Sequence, residues 1–157
     1  MKKLTHVVLV LVFSLLMATT GLAKDWSHPS GFKFTLPDNY KVETKGDVLI
    51  AQDPTGDLGI TFFPVKAEKL SDSLDAVEAA LKDSFQDLHL GDAKEGELNG
   101  MDYISFDGTG KVDGTPADVS VMVFTKNGKF LVVFGAVASS KAKKFEPALI
   151  EIFKSLK

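Results

Sequence analysis

The sequence predicts an α+β domain, an antiparallel β-sheet with helices on both faces, and three observations carry that prediction. Between Ala93 and Val137, three two-residue turns, Asn99-Gly100, Asp113-Gly114 and Asn127-Gly128, separate runs rich in β-branched and aromatic residues. Asn-Gly and Asp-Gly favour the φ > 0 geometry of type I′ turns, whose twist matches the strands they join, so this stretch reads as a four-strand meander. Phe130 to Val137 is apolar almost throughout, whereas a strand with one wet face would alternate, so both faces of the sheet need cover. Two amphipathic helical stretches are available to supply it.

Taken in order, Met1 to Ala23 reads as a secretory signal peptide. Lys2 and Lys3 form the positive n-region, Val7 to Met17 the apolar h-region, and Gly21-Leu22-Ala23 the small-residue cleavage site. Eleven apolar residues fall short of the ~20 that a spanning helix needs, so cleavage after Ala23, with no membrane anchor retained, is the expectation. The chain contains no Cys, which excludes a lipid-anchored lipoprotein and a disulfide framework. Residues 24–157 then form one domain, exported to the periplasm or secreted, standing on its hydrophobic core alone. Without Lys2 and Lys3, 16 Lys face 21 acidic residues, a net charge of −5, and there is no Arg. Bidentate recognition of phosphate and guanine relies on the Arg fork, so nucleic acid and anionic membranes are not expected partners.

Trp26 to Ser30 is expected to be a short loop, and Gly31 to Pro37 a strand that alternates and stops at proline. Tyr40 to Thr44 continues extended. Val48–Gln52 and Leu58–Val65 form a hairpin through Asp53-Pro54-Thr55-Gly56, with Asp, Pro and Gly at the positions a type I turn prefers. The first helix should start at Ser71 or Asp72, either serving as cap, and run to about Leu88. Its apolar stripe is Leu74, Val77, Leu81, Phe85 and Leu88. A short strand follows at Lys94–Leu98. The last helix carries Phe145, Leu149, Ile152, Phe153 and Leu156 on one face. Because proline is excluded from helix interiors, its regular part should begin near Glu146 with Pro147 in the first turn.

The turns also fix a register. If Val112 faces Thr115, Phe106 falls opposite Val121 and Ile104 opposite Val123. Across the next turn, Val123 meets Val132, Val121 meets Phe134 and Val119 meets Ala136. One face is continuous hydrocarbon. The other is apolar around Tyr103, Met122, Phe124, Leu131 and Val133, and polar at Asp107, Thr109, Asp118 and Ser120.

The opening Gly31-Phe32-Lys33-Phe34-Thr35-Leu36-Pro37-Asp38-Asn39-Tyr40, the mid-chain helix, Asn99-Gly100-Met101-Asp102-Tyr103 and the closing Phe145 to Lys157 together resemble the PsbP-like, or Mog-like, α/β/α sandwich family, which includes bacterial exported proteins of the DcrB type. The resemblance spans the whole mature chain. It implies an antiparallel sheet between helices, and members that mostly act as assembly, stabilising or partner-binding proteins rather than as enzymes.

Catalytic signals are sparse. The mature chain holds two His, His28 in the first loop and His89 at the expected helix end, both suited to surface or capping roles. It has no Gly-x-Ser-x-Gly, Walker loop, dinucleotide fingerprint or His-Glu-x-x-His, so no cofactor or metal is implied and an enzyme is not expected. Asp53–Asp57 and Asp107–Gly114 resemble calcium loops only loosely, the first being too short and the second having Lys111 where an oxygen ligand belongs. One polar constellation stands out. Asp107 opposite Ser120 and Thr109 opposite Asp118 set two carboxylates on an otherwise apolar face, as a small polar pocket beneath a helix edge, a cation site, or a sheet end that is simply wet. Trp26, the single tryptophan, is either a partner-contacting anchor or packing for the N-terminus. Two functions follow: an exported accessory protein that binds another exported or envelope protein without turnover, or a carrier of a small ligand or cation (or a weak hydrolase) using the polar sheet end.

Overall fold

A computed structural model describes residues 22–157, so the expected signal peptide lies outside the described residues except for its last two positions. β1 (Ala23–Ser27) and β2 (Lys33–Pro37) form a separate two-stranded ribbon with Trp26 opposite Phe34. This corrects the loop expected at Trp26–Ser30. The turn closed by Gly31, at φ +95°, brings the two segments into register. β3 (Lys41–Lys45), β4 (Val48–Gln52) and β5 (Leu58–Val65) then pair in succession, β4 and β5 with the expected bounds.

Helix α1 (Leu70–Ser84) starts with Lys69 in the N-cap position, two to three residues before the expected cap, and Asp72 falls in its first turn, where a carboxylate suits the helix dipole. The helix also ends earlier than the expected Leu88. Phe85 leaves in extended conformation, and β6 (Gln86–Leu90) is a strand paired with a later one. Phe85 and Leu88 satisfy helical spacing and Leu88 and Leu90 satisfy strand alternation, so periodicity could not decide between them. Close backbone approach decides it: a Cβ at Gly108 would lie 2.3 Å from the His89 carbonyl oxygen, and Asp87 takes φ +50° at a bulge between Gln86 and His89.

β7 (Lys94–Leu98), β8 (Met101–Val112), β9 (Thr115–Lys126) and β10 (Lys129–Ala138) form the meander, with φ between +49° and +80° at all six turn residues. Every pair in the expected register is present, from Val112 opposite Thr115 to Val119 opposite Ala136. Glu97 sits opposite Asp102 at the wet end of β7. The local signals did not reveal that β5 pairs antiparallel with β10, Phe130 facing Val65 and Val137 facing Leu58. This yields one eight-stranded sheet in the order β3-β4-β5-β10-β9-β8-β6, with β7 sharing the β8 edge.

A 3₁₀ turn, Ser139–Lys141, leads into α2 (Ala142–Lys154). The expected start near Glu146 is therefore four residues late, and Pro147 lies inside the helix. Pro147 cannot donate to the Lys143 carbonyl, but both residues are on the exposed side, where solvent can take that carbonyl.

The chain is an α+β fold with an antiparallel sheet, and its strands feed two separate cores from alternate residues. One joins Val77, Leu81 and Phe85 to Val119, Val121, Val123 and Val132, with Leu74 and Leu88 alongside. The other joins Phe145, Leu149, Ile152 and Leu156 to Phe124, Leu131 and Val133, and to Phe34 and Phe62, which stack with ring centroids 3.9 Å apart. Each such buried side chain contributes about 1.5–3 kcal/mol. Asn99 serves twice, in the β7–β8 turn and through Nδ2, which donates to the Lys154 and Leu156 carbonyl oxygens at 2.9 and 2.6 Å and caps the C-terminus of α2.

Asp53 organises the β4–β5 loop. Its carboxylate accepts from Thr55 N–H, Thr55 Oγ and Leu58 N–H at 2.9, 2.6 and 2.8 Å. Burial pushes the Asp53 carboxyl up, but those bonds outweigh it and hold the group below the usual aspartate range. Nearby, burial and the Asp53 charge raise the Tyr40 phenol to about 12.

Two outcomes are expected. Asn99→Gly keeps the turn but loses both caps, and should cost about 1–2 kcal/mol in urea unfolding; a neutral result would show the caps contribute nothing. Because the folded Asp53 carboxyl lies below its unfolded value of about 3.9, its contribution is complete above that value and is lost as pH falls through the folded one. Asp53→Asn should therefore lower stability at neutral pH and flatten its acid dependence below about pH 4, followed as unfolding midpoint against pH.

Candidate functional site

The polar residues singled out in the sequence come together. Asp107 pairs with Ser120 and Thr109 with Asp118 across β8 and β9, all on the face that α2 packs against. β8 and β9 each have 12 residues, about 40 Å, while the 13 residues of α2 span about 20 Å, so the helix leaves one end of the strands uncovered. Where it does cover, it sits low: a Cβ at Gly135 would lie 2.5 Å from Leu149 Cδ2. Between the helix flank and the uncovered strands runs an open groove of about 740 Å³. Asp107, Thr109, Asp118 and Ser120 line its polar end; Met122, Val137, Leu149, Ile150 and Phe153 form its apolar part, and Lys143 and Glu146 its rim.

Hydrogen bonding within the chain already engages the carboxylates. Ser120 Oγ donates to Asp107 Oδ1 at 2.9 Å, and Lys94 Nζ is paired with Asp107 Oδ2 at 3.3 Å. Ser139 Oγ donates to Asp118 Oδ1 at 2.6 Å, tying the polar end to the turn before α2. Asp107 and Thr109 are exposed, Asp118 and Ser120 half-buried. The Lys94–Asp107 pair is exposed and worth at most about 1 kcal/mol.

His89 belongs to this face, which sequence reasoning missed by assigning it to a helix end. On β6 it lies directly opposite Thr109, giving a cross-strand row of His89, Thr109 and Asp118. Among the described residues no hydrogen bond links His89 to a hydroxyl, so the row lacks the nucleophile–base contact that acyl transfer requires. The described residues also contain no group of three or more His, Asp or Glu placed to hold a metal ion.

His28 departs from the expected surface or capping role. It is 3% exposed and staples the β1–β2 loop to the β3–β4 turn. The Asp47 carbonyl can only accept, so Nε2 donates to it at 2.7 Å, leaving Nδ1 to accept from Ser30 N–H at 3.2 Å, with Ser30 Oγ 2.6 Å away. Trp26 is half-buried against the α2-side core, with the Lys24 ammonium 4.7 Å above its ring, and lies apart from the groove residues. A wider groove of about 1010 Å³ lies at the end of the sheet near Ser30, Asp47, Phe63 and Phe130, and a smaller one of about 360 Å³ under the edge of α1.

No protein-family model and no curated protein matches the sequence. Solved structures do. The solution structure of cyanobacterial PsbP (CyanoP) from Synechocystis sp. PCC 6803 aligns with a TM-score of 0.69 over 93% of this chain and 98% of its own, at 14% identity. The chain has a PsbP-like fold. Two further structures share it. LpqN, described as involved in cell envelope biogenesis of Mycobacterium tuberculosis, aligns with a TM-score of 0.58 at 13% identity, over 87% of this chain and 90% of its own. PA94 from Pseudomonas aeruginosa, a protein of unknown function, aligns at 0.54 and 12% identity, over 87% and 97%. At these identities the likeness is one of fold, and a PsbP-like fold carries no particular chemistry with it.

Proposed function

We propose that this chain is an exported accessory protein with an α/β/α sandwich of the PsbP/DcrB-like type, which acts without turnover by binding another exported or envelope protein. On this reading Met1–Ala23 is removed after Ala23, and residues 24–157 work as one domain outside the cytoplasm. The observation that carries it is the groove beside α2: open, apolar along the helix flank, and polar at one end where hydroxyls and carboxylates satisfy one another rather than converge on a reacting atom. Ile150, 41% exposed on that flank, offers an apolar anchor of the kind that interfaces use. LpqN, of the same fold, is described as an envelope-biogenesis protein, which suits the proposed compartment.

Site-specific photocrosslinking in the native host tests this. A photoreactive side chain at Ile150 should yield a discrete polypeptide adduct, whereas one at Glu78, on the exposed side of α1, should not. No adduct at either position, or equal adducts at both, would overturn the reading.

The groove volume favours a second reading, a small-ligand or cation carrier, because about 740 Å³ lies within the range of small-molecule sites. Native mass spectrometry of residues 24–157 recovered from the host envelope should then show a discrete added mass that Asp107→Asn with Asp118→Asn removes. A mass that persists in the double variant would retire Asp107, Thr109, Asp118 and Ser120 as its site.

A further inference from the structure

We infer that residues 139–146, the 3₁₀ turn with the first turn of α2, form a lid over the groove, and that the Ser139–Asp118 hydrogen bond is its latch. The inference does not depend on what the groove binds. The two ends of α2 are held unequally. At the C-terminal end, Ile152 and Leu156 are buried, Asn99 caps two carbonyls, Ser155 Oγ accepts from Thr35 N–H at 2.9 Å, and Lys33 and Lys157 exchange two backbone bonds at 2.8 and 2.9 Å. At the N-terminal end, Phe145 is the one buried side chain of residues 139–146, and the Ser139–Asp118 bond at 2.6 Å is the side-chain tie.

Pro147 separates the two halves. It removes the bond that Lys143 C=O would accept, one of the four i→i−4 bonds that would otherwise join residues 143–146 to the rest of α2, so the two halves are coupled less tightly than in an unbroken helix. The same first turn supplies one wall of the groove through Ala142, Lys143 and Glu146. Local opening starts where burial and hydrogen bonding are weakest, and here that place is the groove wall. On this view Asp118, half-buried on β9, is a positioning residue that holds the lid down.

The chain has no cysteine, so a single introduced thiol reports on opening. In the full chain, Val137→Cys places a thiol beneath the lid, at a position 4% exposed. Ser139→Ala should speed its labelling and speed amide exchange across 140–146 by about three- to tenfold, the worth of one partly exposed hydrogen bond, while exchange across 151–156, whose acceptors lie outside the lid, stays unchanged. Pro147→Ala, which restores the Lys143 bond, should slow both. If Val137→Cys does not fold, amide exchange in Ser139→Ala alone decides. Unchanged exchange across 140–146, or an equal rise in both halves of α2, would overturn the lid.

Discussion

The structure depends on the pleat of three long strands, β8, β9 and β10, held in register by two-residue turns whose residues all take positive φ. A one-residue slip would exchange the two faces along the whole length of the meander. Fixed register sends Val119, Val121 and Val123 to the core with α1, and Phe124, Leu131 and Val133 to the core with α2. It also gathers Asp107, Thr109, Asp118 and Ser120 at one end of one face. Site and core are consequences of a single alternation.

What was legible in the sequence was what local chemistry determines. Asn-Gly and Asp-Gly permit essentially one kind of hairpin, so the meander and its cross-strand pairs could be written down residue by residue. Pairing between segments distant in sequence carries no such mark, and nothing local about Leu58–Val65 says that it lies against β10. The end of α1 was misread because Phe85, Leu88 and Leu90 fit two periods at once, and the deciding contact, Gly108 against the His89 backbone, joins residues nineteen apart. Pro147 was misjudged because the cost of a proline in a helix depends on whether the orphaned carbonyl faces solvent, which requires knowing the buried side.

The candidate site was half legible for the same reason. The shared face and cross-strand pairing of its four polar residues followed from register alone, while the sequence left open whether a pocket or a wet sheet end lay there. Their bonding did not follow from register. Lys94, Ser139 and His89 reach this end of the sheet from β7, from the turn before α2 and from β6, and only the assembled fold reveals that Asp107 and Asp118 already have partners. The buried staple at His28 was equally hidden, since its acceptor is a backbone carbonyl with no signature in sequence.

The sheet's outer strands bear on how this protein meets its own copies. β3, at one edge, reads Lys41-Val42-Glu43-Thr44-Lys45, and a symmetric antiparallel pairing centred on Glu43 would set lysine against lysine at both ends and glutamate against glutamate in the middle. At the other edge, β6 and β7 share β8 as two short pieces, one of them bulged. Neither edge is a template for continued strand addition. Crowded copies are thereby denied the simplest route to ordered aggregates, the edge-to-edge extension of the sheet.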